Sequence, residues 1–204
     1  MHVIGLVTGS LAENCYLIWN NQTLLIIDPG DDPALIKEKI TTTQAKPAAI
    51  LLTHTHCDHI GAVDELRDYY HIPLYVSPLE AGWLQDPVLN LSLQFLGRPL
   101  TVKDAEYEFT LDNYTFDDLS FKVVPTPGHS IGSLSFVFKN FVIAGDSLFN
   151  GSIGRTDLVT GNFEQLIHSI QTQLFTLGDD FIVYPGHGDQ TTIGKEKKTN
   201  PFFN

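Results

Sequence analysis

The sequence predicts an α/β protein, and three observations carry that expectation. Short apolar runs alternate through the first eighty residues with segments whose apolar side chains recur at helical spacing. The second half repeats the theme, several short strands being followed by the clearest amphipathic stretch of the chain, FEQLIHSIQTQLFTL. Finally, 204 residues with 43% hydrophobic and 18% charged side chains suffice to bury a substantial core, without disordered, collagenous or coiled-coil bias.

Taken in order, HVIGLV, CYLIW and TLLIID read as strands, with Asn20-Asn21 as the hairpin tip between the second and third. The turn PGDDP closes them, and ALIKEKITTT, entered through Pro33, reads as the first helix. PAAILLT follows as a buried strand, IGAVDELRDYY as a helix and HIPLYVS as the next strand. Residues 79–99 stay apolar but lose their period, which predicts a helix followed by an irregular cover. EYEFT, NYTF, LSFKVVP, SLSFVF and FVIAG are short strands, and after the amphipathic helix come the strand FIVYPG and a short lysine-rich helix. No polar linker interrupts, so two similar halves in a single domain over residues 1–204 are expected.

No apolar run approaches the roughly 20 residues of a membrane span, and the N-terminus lacks the layout of a secretory signal. A cytoplasmic protein is expected. Cys15 and Cys57 could form at most one bridge and are read as free thiols. A net charge of −12 speaks against a nucleic-acid backbone or an anionic membrane as partner.

The stretch LLTHTHCDHIGA, residues 51–62, crowds three histidines and an aspartate behind an apolar strand. On extended backbone His54 and His56 point to the same side, so they can share one ion. Asp58 continues the alternation, and His59 comes where a helix begins. Three more ligand-type residues recur where a strand ends in a small-residue turn: His129 in VVPTPGHS, Asp146 in FVIAGDSLF and His187 in FIVYPGHGD. Imidazole and carboxylate together suit zinc, or iron or manganese where carboxylate weighs more. Taken singly, these residues also read as polar loop positions, with Asp58 as a helix cap. His2, His71 and His168 have no motif around them and read as ordinary surface or core residues. Cys57 falls between the alternating ligands and Cys15 lies in an apolar strand.

THTHCDH matches the H-x-H-x-D-H motif of the metallo-β-lactamase superfamily, and the GH, GD and GH pairs ending at His129, Asp146 and His187 match its later motifs in order. LLIIDPG resembles its early DPG turn. The resemblance implies a four-layer αβ/βα sandwich with the site at one edge. It implies that His54, His56 and His129 hold one metal and Asp58, His59 and His187 a second, with Asp146 bridging and Asp28 orienting a ligand. Two divalent ions, zinc by first expectation and iron or manganese as alternatives, would generate a bound hydroxide at neutral pH and polarise a carbonyl. Asp58 and Asp146 are the catalytic carboxylates on this expectation.

Within the superfamily GDSLFNGSIGRTD resembles glyoxalase II-like enzymes, which hydrolyse S-hydroxyacyl thioesters of glutathione. The implied activity is hydrolysis of a small-molecule thioester by a monomer or homodimer. Arg155 stands where those enzymes contact the thiol carrier, but Asp157 replaces the aromatic residue expected two positions on, and no C-terminal helical domain is expected after the tail. Lys195, Lys197 and Lys198 of that tail are alternative cations, Lys195 being taken as a substrate contact. The cover over residues 83–96 offers Trp83 and Phe95 as lining for the substrate entrance, or as core packing. A persulfide dioxygenase using one iron on His54, His129 and Asp146 is the competing expectation; a nuclease and a β-lactamase are disfavoured.

Overall fold

The structure, a computed structural model, describes residues 1–203. The chain divides into two compact units, Met1–Phe109 with Thr115–Leu119, and Thr110–Tyr114 with the chain from Ser120 on.

In the first unit β1 (His2–Thr8), β2 (Glu13–Asn20), β3 (Thr23–Ile27), β4 (Lys46–Leu51), β5 (Leu74–Val76) and β6 (Tyr107–Glu108) form one sheet in sequence order. The first three are antiparallel, and β3 through β6 run parallel. Asn20 pairs with Thr23, so the hairpin tip is Asn21-Gln22, one residue later than expected; Asn21 takes the left-handed conformation (φ 43°) that asparagine tolerates. Parallel neighbours need a crossover. α1 (Pro33–Thr43) supplies it between β3 and β4, and α2 (Cys57–Ile60) and α3 (Val63–Tyr70) supply it between β4 and β5. Leu17, Leu24, Ile26 and Ile50 of the sheet pack with Ile36 and Ile40 of α1 and Val63 and Leu66 of α3. Each such burial contributes roughly 1.5–3 kcal/mol, which is why β2 and β3 read as nearly continuous apolar runs.

Three segments differ from expectation. The helix expected over IGAVDELRDYY starts only at Val63, and a separate turn, Cys57–Ile60, precedes it, because the Ala62 N–H donates to the Pro29 carbonyl (2.9 Å) instead of continuing the first helical ladder. Residues 79–99 hold one 3-10 turn, Ala81–Gln85, and the single turn α4 (Ser92–Phe95). Pro87 has no N–H to continue the first, and Asp86 Oδ1 accepts from Val88 N (2.9 Å) and Leu89 N (3.2 Å) as a turn. The rest of that cover hangs on buried Asn90, whose amide donates to the carbonyls of Trp83 (3.2 Å) and Leu100 (2.9 Å). EYEFT contributes only the two residues of β6.

The second sheet runs β14 (Thr191–Thr192), β13 (Ile182–Pro185), β10 (Phe141–Gly145), β9 (Leu134–Val137), β8 (Leu119–Pro125), β7 (Asn113–Phe116), and β11 (Leu148–Phe149) and β12 (Ser152–Ile153) make a separate hairpin. β10 and β13 are parallel. The connection carries α5 (Phe163–Ser169), capped by Asn162, whose Oδ1 accepts from Gln165 N (2.9 Å). The amphipathic stretch goes on past α5 as a π turn, Ile170–Leu174, with Phe175 N donating to the Ile170 carbonyl (2.8 Å). Val142, Ala144 and Val183 of the sheet pack with Leu166, Ile170, Leu174 and Ile193, the last on α6 (Ile193–Thr199). Strands as short as β11, β12 and β14 leave no periodic trace and were not expected from sequence. In each unit the candidate site residues follow the C-terminal ends of strands, where α/β sheets usually build sites. Among the described residues no helix is long and apolar enough to cross a membrane.

Candidate metal centre

In the first unit the ligand segment leaves β4 at Leu51 and enters α2 at Cys57; Leu52 N still donates to the Tyr75 carbonyl of β5 (3.0 Å), and His56 is extended (φ −65°, ψ 150°) as it leads into the helix. His54 and His56 meet edge-on at 4.7 Å between ring centroids, and His54 and His59 lie 4.1 Å apart. All three are buried, and Asp58 Oδ2 stands 3.9 Å from His59 Nε2.

Asp28, directly after β3, holds this arrangement. Its Oδ1 accepts from Thr53 N (2.7 Å), its Oδ2 accepts from Thr53 Oγ1 (2.6 Å), and Oδ2 lies 3.1 Å from His59 Nδ1. Because the Thr53 hydroxyl donates to Asp28, its oxygen accepts from His54 Nδ1 at 3.1 Å. Both imidazoles are thereby fixed with the proton on Nδ1, and Nε2 is the unprotonated nitrogen that could ligate an ion.

Two carboxylates escaped the sequence reading. Glu80 Oε2 accepts from Thr55 N (2.8 Å) and Thr55 Oγ1 (3.1 Å), and with the Asn90 carbonyl, which accepts from Cys57 N (2.8 Å), it pins the chain between the ligands. Glu13 is buried at the start of β2, takes a hydrogen bond from Thr8 Oγ1 (2.7 Å) and places Oε1 3.8 Å from His59 Nδ1. Burial pushes its carboxyl well above the usual range. The signal for Glu13 was a charged residue opening an otherwise apolar strand; nothing in the sequence marked Glu80. Cys57 is buried, and burial first, then the Asp58 carboxylate, pushes its thiol up to about 12. Trp83 is buried and stacked near His56 at 6.4 Å, whereas Phe95 is partly exposed.

In the second unit His129, Asp146 and His187 follow β8, β10 and β13. His129 Nε2 and His187 Nε2 face the same Asp146 oxygen at 3.5 and 3.6 Å. These are too long for hydrogen bonds and match the roughly 3.3–3.5 Å between donors that share an ion bound at about 2.0–2.1 Å. His129 Nδ1 is held by the Arg155 carbonyl (2.8 Å), which again makes Nε2 the unprotonated nitrogen. Gly128, at φ 134°, lets the turn before His129 press on the backbone of Leu166, where any Cβ would collide.

Arg155 thus serves the cluster through its backbone. Its guanidinium is bound bidentate by Asp157 (2.7 and 2.8 Å), which holds the Asp157 carboxyl at about 2. Lys195 donates to Asn150 Oδ1 (2.7 Å). His2, His71 and His168 are exposed and outside both clusters.

With Asp28 counted as orienting, the candidate set in the first unit is three imidazoles and Asp58, and in the second unit two imidazoles and Asp146. That chemistry fits divalent ions of borderline softness. Three imidazoles held on the Nδ1 side, by a hydroxyl, a carboxylate and a carbonyl, show the outer support such ligands need.

Residues 8–187 match the family described as the metallo-beta-lactamase superfamily. A probable metallo-hydrolase of Streptococcus pyogenes is 46% identical over all of this chain and 90% of its own length. The hydroxyacylglutathione hydrolase GloC of Haemophilus influenzae is 35% identical over all of this chain and 99% of its own. The crystal structure of the BLEG-1 B3 metallo-beta-lactamase superposes with a TM-score of 0.96, at 41% identity and full coverage of both chains. With the mixed α/β fold and the ligand types of a metal-dependent hydrolase, this chain belongs to the metallo-beta-lactamase superfamily.

Proposed function

We propose that the protein is a binuclear metallohydrolase that cleaves a thioester, with S-hydroxyacyl-glutathione or the thioester of another small thiol as substrate. His54, His56 and His129 would hold one divalent ion, Asp58, His59 and His187 the other, and Asp146 would be shared. The observation that carries the proposal is the fixing of His54, His59 and His129 at Nδ1, which makes Nε2 of each the unprotonated nitrogen that could bind a metal. The likeness to GloC over the whole chain supports the thioester.

Such ions supply a water of lowered pKa and a Lewis acid for the acyl carbonyl. Asp28 and Thr53 keep the imidazoles in one tautomer through the reaction, and Asp58 and Asp146 are the carboxylates available to accept the proton of the attacking water. The departing thiol has a pKa near 8.5, so it leaves without a strong general acid. Imidazole and carboxylate take zinc, iron or manganese, and we infer zinc from the excess of imidazole.

The likeness to a protein named a B3 metallo-beta-lactamase favours a second reaction on the same residues, opening of a β-lactam amide. One experiment separates these readings. The purified protein is analysed for metals and assayed in parallel on a hydroxyacyl-glutathione, a β-lactam, and a persulfide with O₂ uptake. Two ions per chain and thioester cleavage lost in Asp146→Ala support the proposal. β-Lactam turnover without thioester cleavage, or one iron with O₂ uptake, overturns it.

A further inference from the structure

The first unit contains a cavity of about 310 Å³ lined by Asp58 and by the apolar residues Leu11, Phe95 and Leu96. Two opposite charges open onto it, Asp31 and Arg98. They form no ion pair with one another, and Arg98 has no hydrogen bond or ion pair among the described residues. The other two arginines do: Arg67 binds Glu106 and the carbonyls of Lys103 and Asp104, and Arg155 binds Asp157. In a chain of net charge −12, Arg98 is the arginine left for a ligand. The wall bearing Leu11 is preformed, since Gly9 N donates to Asp32 Oδ2 (2.9 Å) and Ala12 N to the Gly9 carbonyl (3.3 Å).

A guanidinium beside an apolar cleft recognises a carboxylate whose carbon chain lies on that cleft. Asp31 and Asp58 on the same cavity repel further negative charge, which disfavours a polyphosphate carrier, and about 310 Å³ is near the lower limit for ligand pockets. We propose that this cavity binds an arm of the thioester that bears a single carboxylate, paired with Arg98, its chain resting on Leu11, Phe95 and Leu96. The assignment of the arm to a thioester rests on the hydrolase function proposed above. The carboxylate belongs either to the thiol or to the acyl group.

The test uses four thioesters: a neutral acyl group on a mercapto acid, a dicarboxylic half-acyl group on a neutral thiol, a wholly neutral compound, and a nucleotide polyphosphate thioester. Beside turnover, calorimetry follows binding of the uncleavable thioether analogue of each carboxylate compound to the protein as purified. Arg98→Ala is expected to raise KM for one of the two carboxylate compounds about tenfold relative to the neutral one, with Arg98→Lys recovering part of the loss, and to weaken the matching thioether about as much. Whichever compound responds assigns the carboxylate to the thiol or the acyl side. Equal effects of Arg98→Ala on charged and neutral compounds, thioether binding that ignores Arg98, or preferred use of the polyphosphate compound overturns the proposal. Thioether binding that depends on Arg98 in a protein that cleaves no thioester upholds the cavity and refutes only the hydrolase function.

Discussion

Replacing Gly30 by alanine is expected to damage the ligand segment without replacing any proposed ligand. Gly30 ends the DPG turn after β3, and its α-carbon lies against the backbone of Asp58. A Cβ there would stand 2.8 Å from the Asp58 carbonyl carbon, closer still to that carbonyl oxygen, and 2.7 Å from Glu13 Oε2. Ordinary contact is about 3.5–4.0 Å, so the Asp58 carbonyl or Gly30 itself must move by well over an ångström. None of the neighbours can do so cheaply: Asp58 is backbone on the one-turn helix between the ligands, and Glu13 is buried and tied to Thr8. Overpacking of this kind costs about 1–3 kcal/mol or more. At about 2–4 °C per kcal/mol for a chain of this size, a fall in Tm of several degrees is expected. Thermal unfolding by circular dichroism and metal analysis of the same preparations provide the assay, with Gly82→Ala, where a Cβ meets nothing within 4 Å, as control. Gly30→Ala with the Tm and metal content of Gly82→Ala would refute the reasoning.

Asp28→Asn removes the acceptor shared by Thr53 and His59 and is expected to weaken metal binding about 10–100-fold, read by chelator competition. Glu80→Ala strands the buried Thr55 N–H, an expected loss of about 1–3 kcal/mol in denaturant unfolding. Arg155→Ala is expected to change KM for the thioester by no more than about twofold, because an exposed guanidinium already bound by Asp157 offers little to substrate. Dialysis against a chelator is expected to lower the Tm and readdition of metal to restore it, since an ion that binds only the folded chain stabilises it.

Much of the fold and site was legible because local rules sufficed. The apolar runs of β2, β3 and β4, Pro33 at the start of α1 and the pairing of His54 with His56 are short-range patterns that one stretch of chain displays by itself, whereas Asp58, expected to continue that alternation, lies on α2, which begins at Cys57. Where local rules conflict with a distant partner, the sequence misleads: Ala62 gives its N–H to Pro29, so the expected helix starts only at Val63, and Asn90 organises a cover that has no period to read.

The sequence alone determined the α/β class, the superfamily motif and the ligand types, because those depend on residue identity and near spacing. The tertiary structure decided which nitrogen each oriented imidazole offers, since Thr53, Asp28 and the Arg155 carbonyl reach His54, His59 and His129 only in the folded chain. It likewise decided what surrounds each arginine. Charge is written in the sequence, but whether Asp157 or a substrate meets Arg155, and whether anything meets Arg98, is fixed by distance, and distance exists only after folding.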